Sequence, residues 1–337
     1  MNFPPTKYMG SKRALLPFIL ASISYLRFDR ILDAFSGSGC VAYELKRLGY
    51  AVHTNDFLRF PFHVARATVE NNGTLLDSED LVFLLRRNRN TAHFIQETFR
   101  ALYFSETDNA FLDNLCTNIG RLRSPLKRSL ALAAVCRAAM RKRPRGIFTF
   151  TGRRGWDGRA DLRLSMEQQF LRAVGELNAA VFSNCRANLS FRKDVFDVEP
   201  QGYGAVYLDP PYISRHSDCD YTRRYHFLEG LCTYWKGVEL LPNTKTKKIR
   251  SYPTDFARKS AASQTFRSLF NHFKDSTLIV SYSSNGLPAR DEMIELLLSV
   301  KRTVNVYEYG HRYSHGNQRH KVGNNNNSVT EYLFIGR

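Results

Sequence analysis

The sequence predicts an α/β fold: a Rossmann-like, mostly parallel twisted sheet with an antiparallel closing strand, together with a helical insertion. The stretch "RILDAFSGSGCVAYELKRLGYAVHTNDF" has strand, helix and strand character in that order. Such a βαβ unit places its two strands parallel. Strand and helix patterns alternate again after residue 165. Near the end, "KRTVNVYEY" and "SVTEYLFIG" flank a Gly/Asn-rich loop and predict an antiparallel pair.

The individual elements follow from local pattern. Ile31 and Leu32 begin a buried strand, residues 41–48 have helical character, and "AVHTND" reads as a second strand ending in Asn55 and Asp56. "PFHVARATVENN" continues as a helix. After the insertion, "LSMEQQFLRAVGELNAAVF" predicts a helix, "ANLSFRKDVFD" a third strand with its exit loop, "GAVYLDPP" a fourth strand and "STLIVSYSS" a fifth. "DEMIELLLSV" predicts the helix before the closing pair.

The insertion lies between about Gly73 and Ala160. "DLVFLLRRN", "TAHFIQETF" and "KRSLALAAVCRAAMRKR" are amphipathic helical segments, and no strand alternation occurs among them. We therefore expect one α/β domain formed by residues 1–72 and 165–337, interrupted by a mostly helical segment at residues 73–164.

Composition indicates a globular protein in a reducing compartment. The chain has 337 residues, 43% of them hydrophobic and 13% aromatic, which is ample for a packed core. The apolar run "ALLPFILASI" is short and contains Pro17, so we expect neither a signal peptide nor a membrane span. Six cysteines occur without CxxC or Cys/His metal spacing. This spacing predicts reduced thiols, a cytoplasmic location and no metal site.

The charge predicts a polyanionic partner, with nucleic acid as the leading candidate. The formal net charge is +18, and neutralising phosphates with Lys and Arg releases counterions. From Arg121 to Arg163, thirteen Lys/Arg face two acids, a net of +11. A solvated helix face is the alternative explanation. The arginines expected to bind nucleic acid are Arg121, Arg123, Arg141, Arg143, Arg145, Arg153 and Arg154. Of these, Arg141 and Arg143 are expected to contact phosphates, and Arg153 or Arg154 to read bases.

A glycine turn follows the first strand. In "FSGSG", Gly37 and Gly39 lack Cβ atoms, so a ligand can approach the backbone and the start of the next helix. Asp56, about twenty residues beyond the turn, is placed to accept ribose hydroxyls. Two ligands fit, a nicotinamide dinucleotide and S-adenosylmethionine. Asp33, close to Phe35 beside the turn, would repel a pyrophosphate and attract an ammonium group, which favours the methyl donor. The residues expected to bind the donor here are Asp33, Phe35, Gly37, Gly39 and Asp56.

A second site follows the fourth strand. "YLDPPY" places Asp209, Pro210, Pro211 and Tyr212 at its exit, and proline holds this stretch extended. The carboxyl ends of strands in open α/β sheets bind ligands. There, Asp209 and the Pro210 carbonyl would accept the hydrogens of an exocyclic amine during its alkylation. Tyr212 would stack on a base swung out of a duplex.

These motifs resemble the D12 class of DNA adenine-N6 methyltransferases, the group that includes the Dam methylases. "KYMGSK", "DAFSGSG", "ND" at 55 and 56, and "DPPY" occur in the order of that family's motifs. The resemblance implies a class I methyltransferase fold and S-adenosylmethionine as cofactor, with Tyr8 and Lys12 near the cofactor and Asp194 contacting its adenine ring. It also implies that "YHFLE" follows the catalytic loop and that the basic insertion at 73–164 recognises the DNA target.

The expected function is site-specific methyl transfer to N6 of a flipped-out adenine in double-stranded DNA. The enzyme would act in a restriction-modification system, beside a separate cognate endonuclease, or as an orphan or phage methylase. Amino-cytosine methylation and RNA guanine-N2 methylation remain alternatives, because their platforms are similar. A catalytically inactive DNA-binding module is the alternative from another class. A cytosine-C5 enzyme would need a cysteine after a proline, and this sequence contains no Pro-Cys pair. The recognition sequence and the oligomeric state stay open.

Overall fold

A twisted sheet forms the centre of the protein. A computed structural model describes residues 3–143, 146–151, 160–214, 220–252, 254–312 and 328–337. The strands within these ranges are β1 (Arg30–Asp33), β2 (Ala51–Asn55), β3 (Leu189–Phe191), β4 (Ala205–Leu208), β5 (Ile213–Ser214), β6 (Thr277–Ser283), β7 (Gly286–Leu287), β8 (Val304–Arg312) and β9 (Ser328–Gly336). Seven of them form the main sheet in the order β3-β2-β1-β4-β6-β9-β8, and β5 pairs with β7.

The direction of the strands places the site. Strand β1 pairs in parallel with β2 and β4, and β4 pairs in parallel with β6. Strand β9 is antiparallel to both β6 and β8. The predicted mostly parallel sheet with an antiparallel closing strand is therefore confirmed. Because Asp33 lies opposite Tyr207 in the register, the ends of β1 and β4 meet at one edge of the sheet.

Helices cover the sheet and form the middle of the chain. They are α1 (Leu16–Ile23), α2 (Cys40–Arg47), α3 (Arg59–Ala65), α4 (Ser78–Leu85), α5 (Phe94–Thr98), α6 (Glu106–Ile119), α7 (Pro125–Arg141), α8 (Ala160–Arg163), α9 (Met166–Ala180), α10 (Tyr221–Thr233), α11 (Ala262–His272) and α12 (Arg290–Leu298). Side-chain caps begin several of them. Ser165, for example, accepts from the Gln168 amide, and Gln168 accepts in return from Ser165, which is a capping box.

Alternate strand residues supply two hydrophobic cores. Ile31 and Tyr207 belong to one cluster, whereas Leu32 and Leu208 belong to the other. Successive side chains of a strand point to opposite faces, so both faces of β1 and β4 are covered. This double burial explains why these strands read as continuous apolar runs in the sequence.

The helices between residues 73 and 164 share a core with the sheet. Residues 129–140 of α7 are buried, and α7 packs against α3, α9 and α10. Leu132 of α7 belongs to the same cluster as Ile31 of β1. The helical character expected for this segment is present in its described residues. The segment is separate from the α/β domain only in chain order, because it interrupts that domain in the sequence. In space, a single hydrophobic core includes residues of both.

No helix in the described ranges combines the length and the apolar character needed to cross a bilayer.

Candidate active site

Asp209 follows directly on β4 and is paired with a lysine from the N-terminal segment. Nζ of Lys12 donates to Oδ1 and Oδ2 of Asp209, at 2.6 Å in each case, and to the Gly10 carbonyl at 3.3 Å. Both side chains are largely buried, with 7% of Lys12 and 17% of Asp209 exposed. A charged lysine is thus held against the carboxylate of the DPPY stretch. The resemblance placed Lys12 near the cofactor, and the structure also joins it to Asp209.

Burial and charge act against each other in this pair. Burial opposes the charge on Lys12, but attraction to Asp209 and then to Glu331 outweighs it and raises the pKa of Lys12. Burial raises the pKa of Asp209, and the Lys12 ammonium opposes that rise. Lys12 therefore favours the carboxylate form, in which Asp209 accepts hydrogen bonds.

The remaining DPPY residues form the wall beside Asp209. Pro210 is buried and Tyr212 is half-buried. The ring of Tyr212 lies 4.7 Å from the ring of Tyr282, measured between centroids, at an interplanar angle of 52°. Residues 215–219, which continue this loop, lie outside the described part of the chain.

The glycine turn after β1 has the backbone that its sequence predicts. Gly37 has a φ of 48° and Gly39 a φ of 78°, a conformation that favours glycine. Gly39 is also the residue before the first turn of α2. A Cβ added to Gly37 would lie 3.0 Å from Cε1 of Tyr8. Both glycines are therefore required by the turn itself, and Gly37 also by the close approach of Tyr8.

Asp33 ends β1 with a buried carboxylate. Only 1% of the residue is exposed, and Oδ1 has no hydrogen-bond partner among the described residues. Burial, followed by repulsion from Asp209 and Asp56, raises the pKa of Asp33 to about 8. A buried carboxylate with an unpaired oxygen beside a glycine turn fits a ligand that brings a positive charge and hydrogen-bond donors.

Asp56, after β2, connects the second strand to the glycine turn. Its Oδ2 accepts from the Gly37 amide at 2.8 Å, and its Oδ1 accepts from the Leu58 amide at 2.9 Å. Burial raises the pKa of Asp56 to about 7, against the effect of these two amides. Asp56 thus joins the end of β2 to the glycine turn through its carboxylate.

Aromatic rings from distant segments meet beside the turn. The ring of Tyr8 stacks against Tyr225 with centroids 5.1 Å apart, and against Tyr221 with centroids 5.8 Å apart. Burial raises the pKa of Tyr8 well above its usual range, so the phenol is neutral. Tyr221 and Tyr225 belong to α10, and sequence reasoning did not assign them to the site.

Two predicted cofactor residues lie at the margin of this edge. Phe35 is half-buried, and its ring meets Phe256 edge-on with centroids 5.6 Å apart. Asp194 follows β3, is exposed, and accepts from the Phe196 amide at 3.0 Å. The topology brings Asp194 to the same sheet edge as Asp33, while its local contact is that of a turn cap.

Glu229 of α10 is a positioning residue that sequence reasoning missed. Its carboxylate is fully buried and accepts from the amides of Arg59 at 3.0 Å and Phe60 at 2.8 Å, at the start of α3. This contact fixes the segment that follows Asp56. The only sequence signal is a single acid among the apolar residues of "YHFLEGL", which does not specify its partner.

His226, in the same motif, orders the helical segment. Its Nε2 lies 3.0 Å from the Phe148 carbonyl oxygen and 3.1 Å from Oη of Tyr103. Burial lowers the pKa of His226 to about 4. The imidazole is therefore neutral and engaged with Phe148 and Tyr103.

The structure corrects part of the predicted DNA surface. Arg143 is 1% exposed and donates to the carbonyls of Ile147 at 3.4 Å and Phe150 at 2.6 Å. Arg141 is 11% exposed and paired with Glu176. Each guanidinium is bonded to a group of the protein itself and is not available to a duplex. The prediction that Arg141 and Arg143 contact phosphates is therefore wrong.

The other predicted DNA-binding arginines divide into two groups. Arg121 and Arg123 are exposed and remain candidates. Arg145, Arg153 and Arg154 lie outside the described residues. In the described part of the chain, no group of three or more His, Cys, Asp or Glu side chains is placed to hold a metal ion. The described cysteines, Cys40, Cys116, Cys136, Cys185 and Cys232, are free thiols.

The fold and the site together define a class. A sheet in the order β3-β2-β1-β4-β6-β9-β8, with a glycine turn after β1 and an Asp-Pro-Pro-Tyr stretch after β4, is that of a class I methyltransferase acting on an exocyclic amine. The glycine turn and the Asp-Pro-Pro-Tyr stretch lie at the same end of adjacent parallel strands.

Comparison with known proteins identifies the family. The model of the D12 class N6 adenine-specific DNA methyltransferases matches residues 8–283, and the chain belongs to this family. The chain is 27% identical to Type II methyltransferase M2.HphI of Haemophilus parahaemolyticus, over 99% of this chain and 98% of that protein. Membership makes this protein a DNA adenine-N6 methyltransferase.

Two longer relatives match as well. The chain is 26% identical to modification methylase StsI of Streptococcus sanguinis and 24% identical to Type II methyltransferase M.FokI of Planomicrobium okeanokoites. Each alignment covers 97% of this chain, but only 51% and 52% of the respective relatives.

Proposed function

We propose that this protein transfers a methyl group from S-adenosylmethionine to N6 of an adenine that is flipped out of double-stranded DNA at a specific sequence. The observation that carries this proposal is the adjacency of two sites on neighbouring strands. Asp33 and the glycine turn end β1, Asp209 follows β4, and the two strands are paired in parallel. A donor at the first site and an amine at the second would meet at one sheet edge.

The residues at the end of β1 fit S-adenosylmethionine. The unpaired Oδ1 of buried Asp33 suits the ammonium of the methionyl group. Gly37 and Gly39 allow close approach to the backbone, and Asp56 would accept ribose hydroxyls. Asp194 and Phe35 would border the adenine ring. When bound, S-adenosylmethionine supplies an electrophilic methyl group.

Asp209 and Pro210 would make the target nitrogen reactive. The N6 lone pair of adenine is delocalised into the ring, so the amine is a weak nucleophile. The Asp209 carboxylate and the Pro210 carbonyl would accept the two N6 hydrogens and stabilise positive charge as it develops on nitrogen. Lys12 favours the carboxylate form of Asp209 and holds it in place. After alkylation the nitrogen loses a proton, which water can accept.

Tyr212 would hold the extruded base. Chemistry on a base inside a duplex requires its removal from the stack, and aromatic side chains then support it. Tyr212 stands three residues after Asp209, with its ring against Tyr282. A base stacked there would present its exocyclic amine towards the acceptors.

We further propose that this methylation protects DNA from a restriction endonuclease that is a separate protein. The relatives that support this proposal are described as Type II methyltransferases or modification methylases. The +18 formal charge favours duplex DNA as the partner.

The test is transfer of tritium from methyl-labelled S-adenosylmethionine to duplex DNA, followed by digestion to nucleosides. We expect label only in N6-methyl-2′-deoxyadenosine. Asp209→Ala should reduce transfer by about 10²-fold or more, since loss of one stabilising acceptor has that effect, while cofactor binding stays within a few-fold of the parent. Label in N4-methyl-2′-deoxycytidine, or transfer to RNA but not to DNA when RNA is assayed in parallel, would overturn the proposal.

A further inference from the structure

A folded hairpin follows α10, the helix that contributes Tyr221 and Tyr225 to the site. It comprises residues 236–251, here called the lysine hairpin. Leu240 and Ile249 form an antiparallel bridge. The Leu241 amide donates to the Lys248 carbonyl at 2.7 Å, and the Arg250 amide donates to the Glu239 carbonyl at 3.0 Å. These cross-strand bonds give the hairpin a defined shape.

The base of the lysine hairpin is attached to both sides of the active-site edge. Oγ of Ser251 donates to Asp220 at 2.7 Å, the residue that caps α10 just before Tyr221. The next residue, Tyr252, sets its ring edge-on against Phe57, with centroids 5.1 Å apart. Phe57 directly follows Asp56. The C-terminal end of the hairpin is therefore attached to the start of α10 and, through the next residue, to the segment that follows Asp56.

The outer part of the lysine hairpin rests on the helical segment. Oη of Tyr103, which follows α5, donates to the Thr246 carbonyl at 2.7 Å. Thr246 is 6% exposed and Ile249 is 1% exposed, so the inner face of the hairpin is buried. A rigid element thus bridges the site and the insertion with one face left outward.

That outward face is strongly positive. The hairpin, residues 236–251, contains five Lys/Arg and one acid, a net of +4. Three of these cations are exposed, Lys236, Lys245 and Arg250, and Arg250 also pairs with Glu239 at 3.0 Å on the same exposed face. At the end of α7, by contrast, the cations are not exposed: Arg141 and Arg143 are largely buried and bonded to groups inside the protein. The exposed cations of the hairpin, unlike Arg141 and Arg143, are presented to solvent.

We propose that the lysine hairpin binds phosphates of the DNA duplex beside the extruded adenine. This inference rests on the proposed function, which assigns duplex DNA as substrate. Phosphate contacts fix the register and orientation of a duplex without reading its sequence. A rigid cationic element next to the platform would hold the backbone while one nucleotide leaves the stack.

The test is a salt titration of duplex binding by a hairpin variant with Lys236→Ala, Lys245→Ala and Arg250→Ala. Removing one phosphate contact lowers the slope of log K against log salt by about 0.9, so we expect a decrease of about two to three. Affinity should fall alike on methylatable and scrambled duplexes, with cofactor affinity unchanged. A companion variant with Lys236→Arg and Lys245→Arg keeps the charge and should keep the parental slope.

A matched control removes three exposed cations at the opposite edge of the sheet, by Arg27→Ala, Lys274→Ala and Arg302→Ala. These residues precede β1, β6 and β8 and are exposed. Equal slopes for both triple variants, or an unchanged slope for the hairpin variant, would overturn the inference. Failure of the proposed function would be recognised by a different result: the parent protein would form no N6-methylated adenine nucleoside in the label-transfer assay.

Discussion

Lys12 and Asp209, 197 positions apart in the chain, form a two-oxygen contact in which Nζ lies 2.6 Å from each carboxylate oxygen. The lysine comes from the segment before α1, and the aspartate comes from the exit of β4. Since burial by itself would favour a protonated Asp209, the N-terminal segment helps to set the protonation state of the platform.

Replacing Lys12 should shift the pH dependence of catalysis. In Lys12→Met, burial acts on Asp209 without the opposing ammonium, so the pKa of Asp209 rises further. Asp209 then needs a higher pH to become a carboxylate. In the plot of single-turnover rate against pH, the rise on the acidic side, called the acidic limb, therefore moves to higher pH. Lys12→Arg keeps a cation and should keep the limb near that of the parent. The measurement is the rate from about pH 5 to about pH 9 at saturating cofactor, a range that brackets the usual titration of perturbed carboxyls; an unmoved limb in Lys12→Met would contradict this role.

Asp33→Asn should stabilise the ligand-free protein at high pH. The pKa of folded Asp33 is raised from its usual 3.8 to about 8. The stability that its proton contributes is complete below about pH 4 and is lost as pH rises through about 8. The asparagine in this variant carries no such charge, so the Tm of the variant should exceed the parental Tm at about pH 8 by more than at about pH 5.

The same variant should lose the rise in Tm that S-adenosylmethionine produces, because the carboxylate facing the ammonium is gone. Asp194→Asn is the control for the pH effect, since Asp194 is exposed and Asn also caps a turn. A Tm difference between Asp33→Asn and the parent that does not depend on pH would contradict this account.

Asp56→Ala should weaken S-adenosylmethionine binding. The Gly37 amide loses its acceptor, and a ribose would lose its partner, which together cost roughly 1 to 3 kcal/mol. Duplex binding should survive, because the lysine hairpin and the exposed arginines are untouched. Calorimetric titration gives the cofactor affinity, and an affinity equal to that of the parent would place the ribose contact elsewhere.

Glu229→Ala should destabilise the fold through α3. Two backbone amides at the start of that helix lose a buried acceptor, and each group left unsatisfied costs about 1–3 kcal/mol. Urea unfolding measures the loss. Glu239→Ala is the control: the Glu239 side chain is 59% exposed and pairs with Arg250 at the surface. Its loss should change the free energy of unfolding by less than about 0.5 kcal/mol. Equal effects of the two substitutions would rule out the capping role.

Arg143→Ala and Arg123→Ala should separate structure from DNA binding. Arg143 lies 4.7 Å from the Phe150 ring centroid and 5.0 Å from that of Tyr103, so its loss should lower the free energy of unfolding by about 1–3 kcal/mol. It should leave the salt slope of duplex binding unchanged. The exposed Arg123 should show the opposite pattern, with a slope lower by about one and unaltered stability. A changed salt slope in a fully folded Arg143→Ala protein would restore Arg143 as a phosphate contact.

The local features of this protein could be derived from the sequence by itself. Short apolar runs, followed by a glycine turn or by Asp-Pro, identify β1 and β4. This is possible because the alternation of side chains along a strand and the backbone preferences of glycine and proline both act over a few residues. The same local logic placed Gly37, Asp56 and Asp209 at strand exits. Parallel strands then bring such exits to one edge, so the two-site arrangement needed no coordinates.

Only the tertiary structure decided which charged groups are paired and which are presented to solvent. Sequence shows thirteen basic residues between Arg121 and Arg163, but not that Arg143 is buried against aromatic rings. It likewise shows Lys12, Glu229 and Asp209 without their partners, since a contact between residues far apart in the chain depends on how helices pack on the sheet. Burial determines the cost of a charge, and burial is a property of the folded chain as a whole.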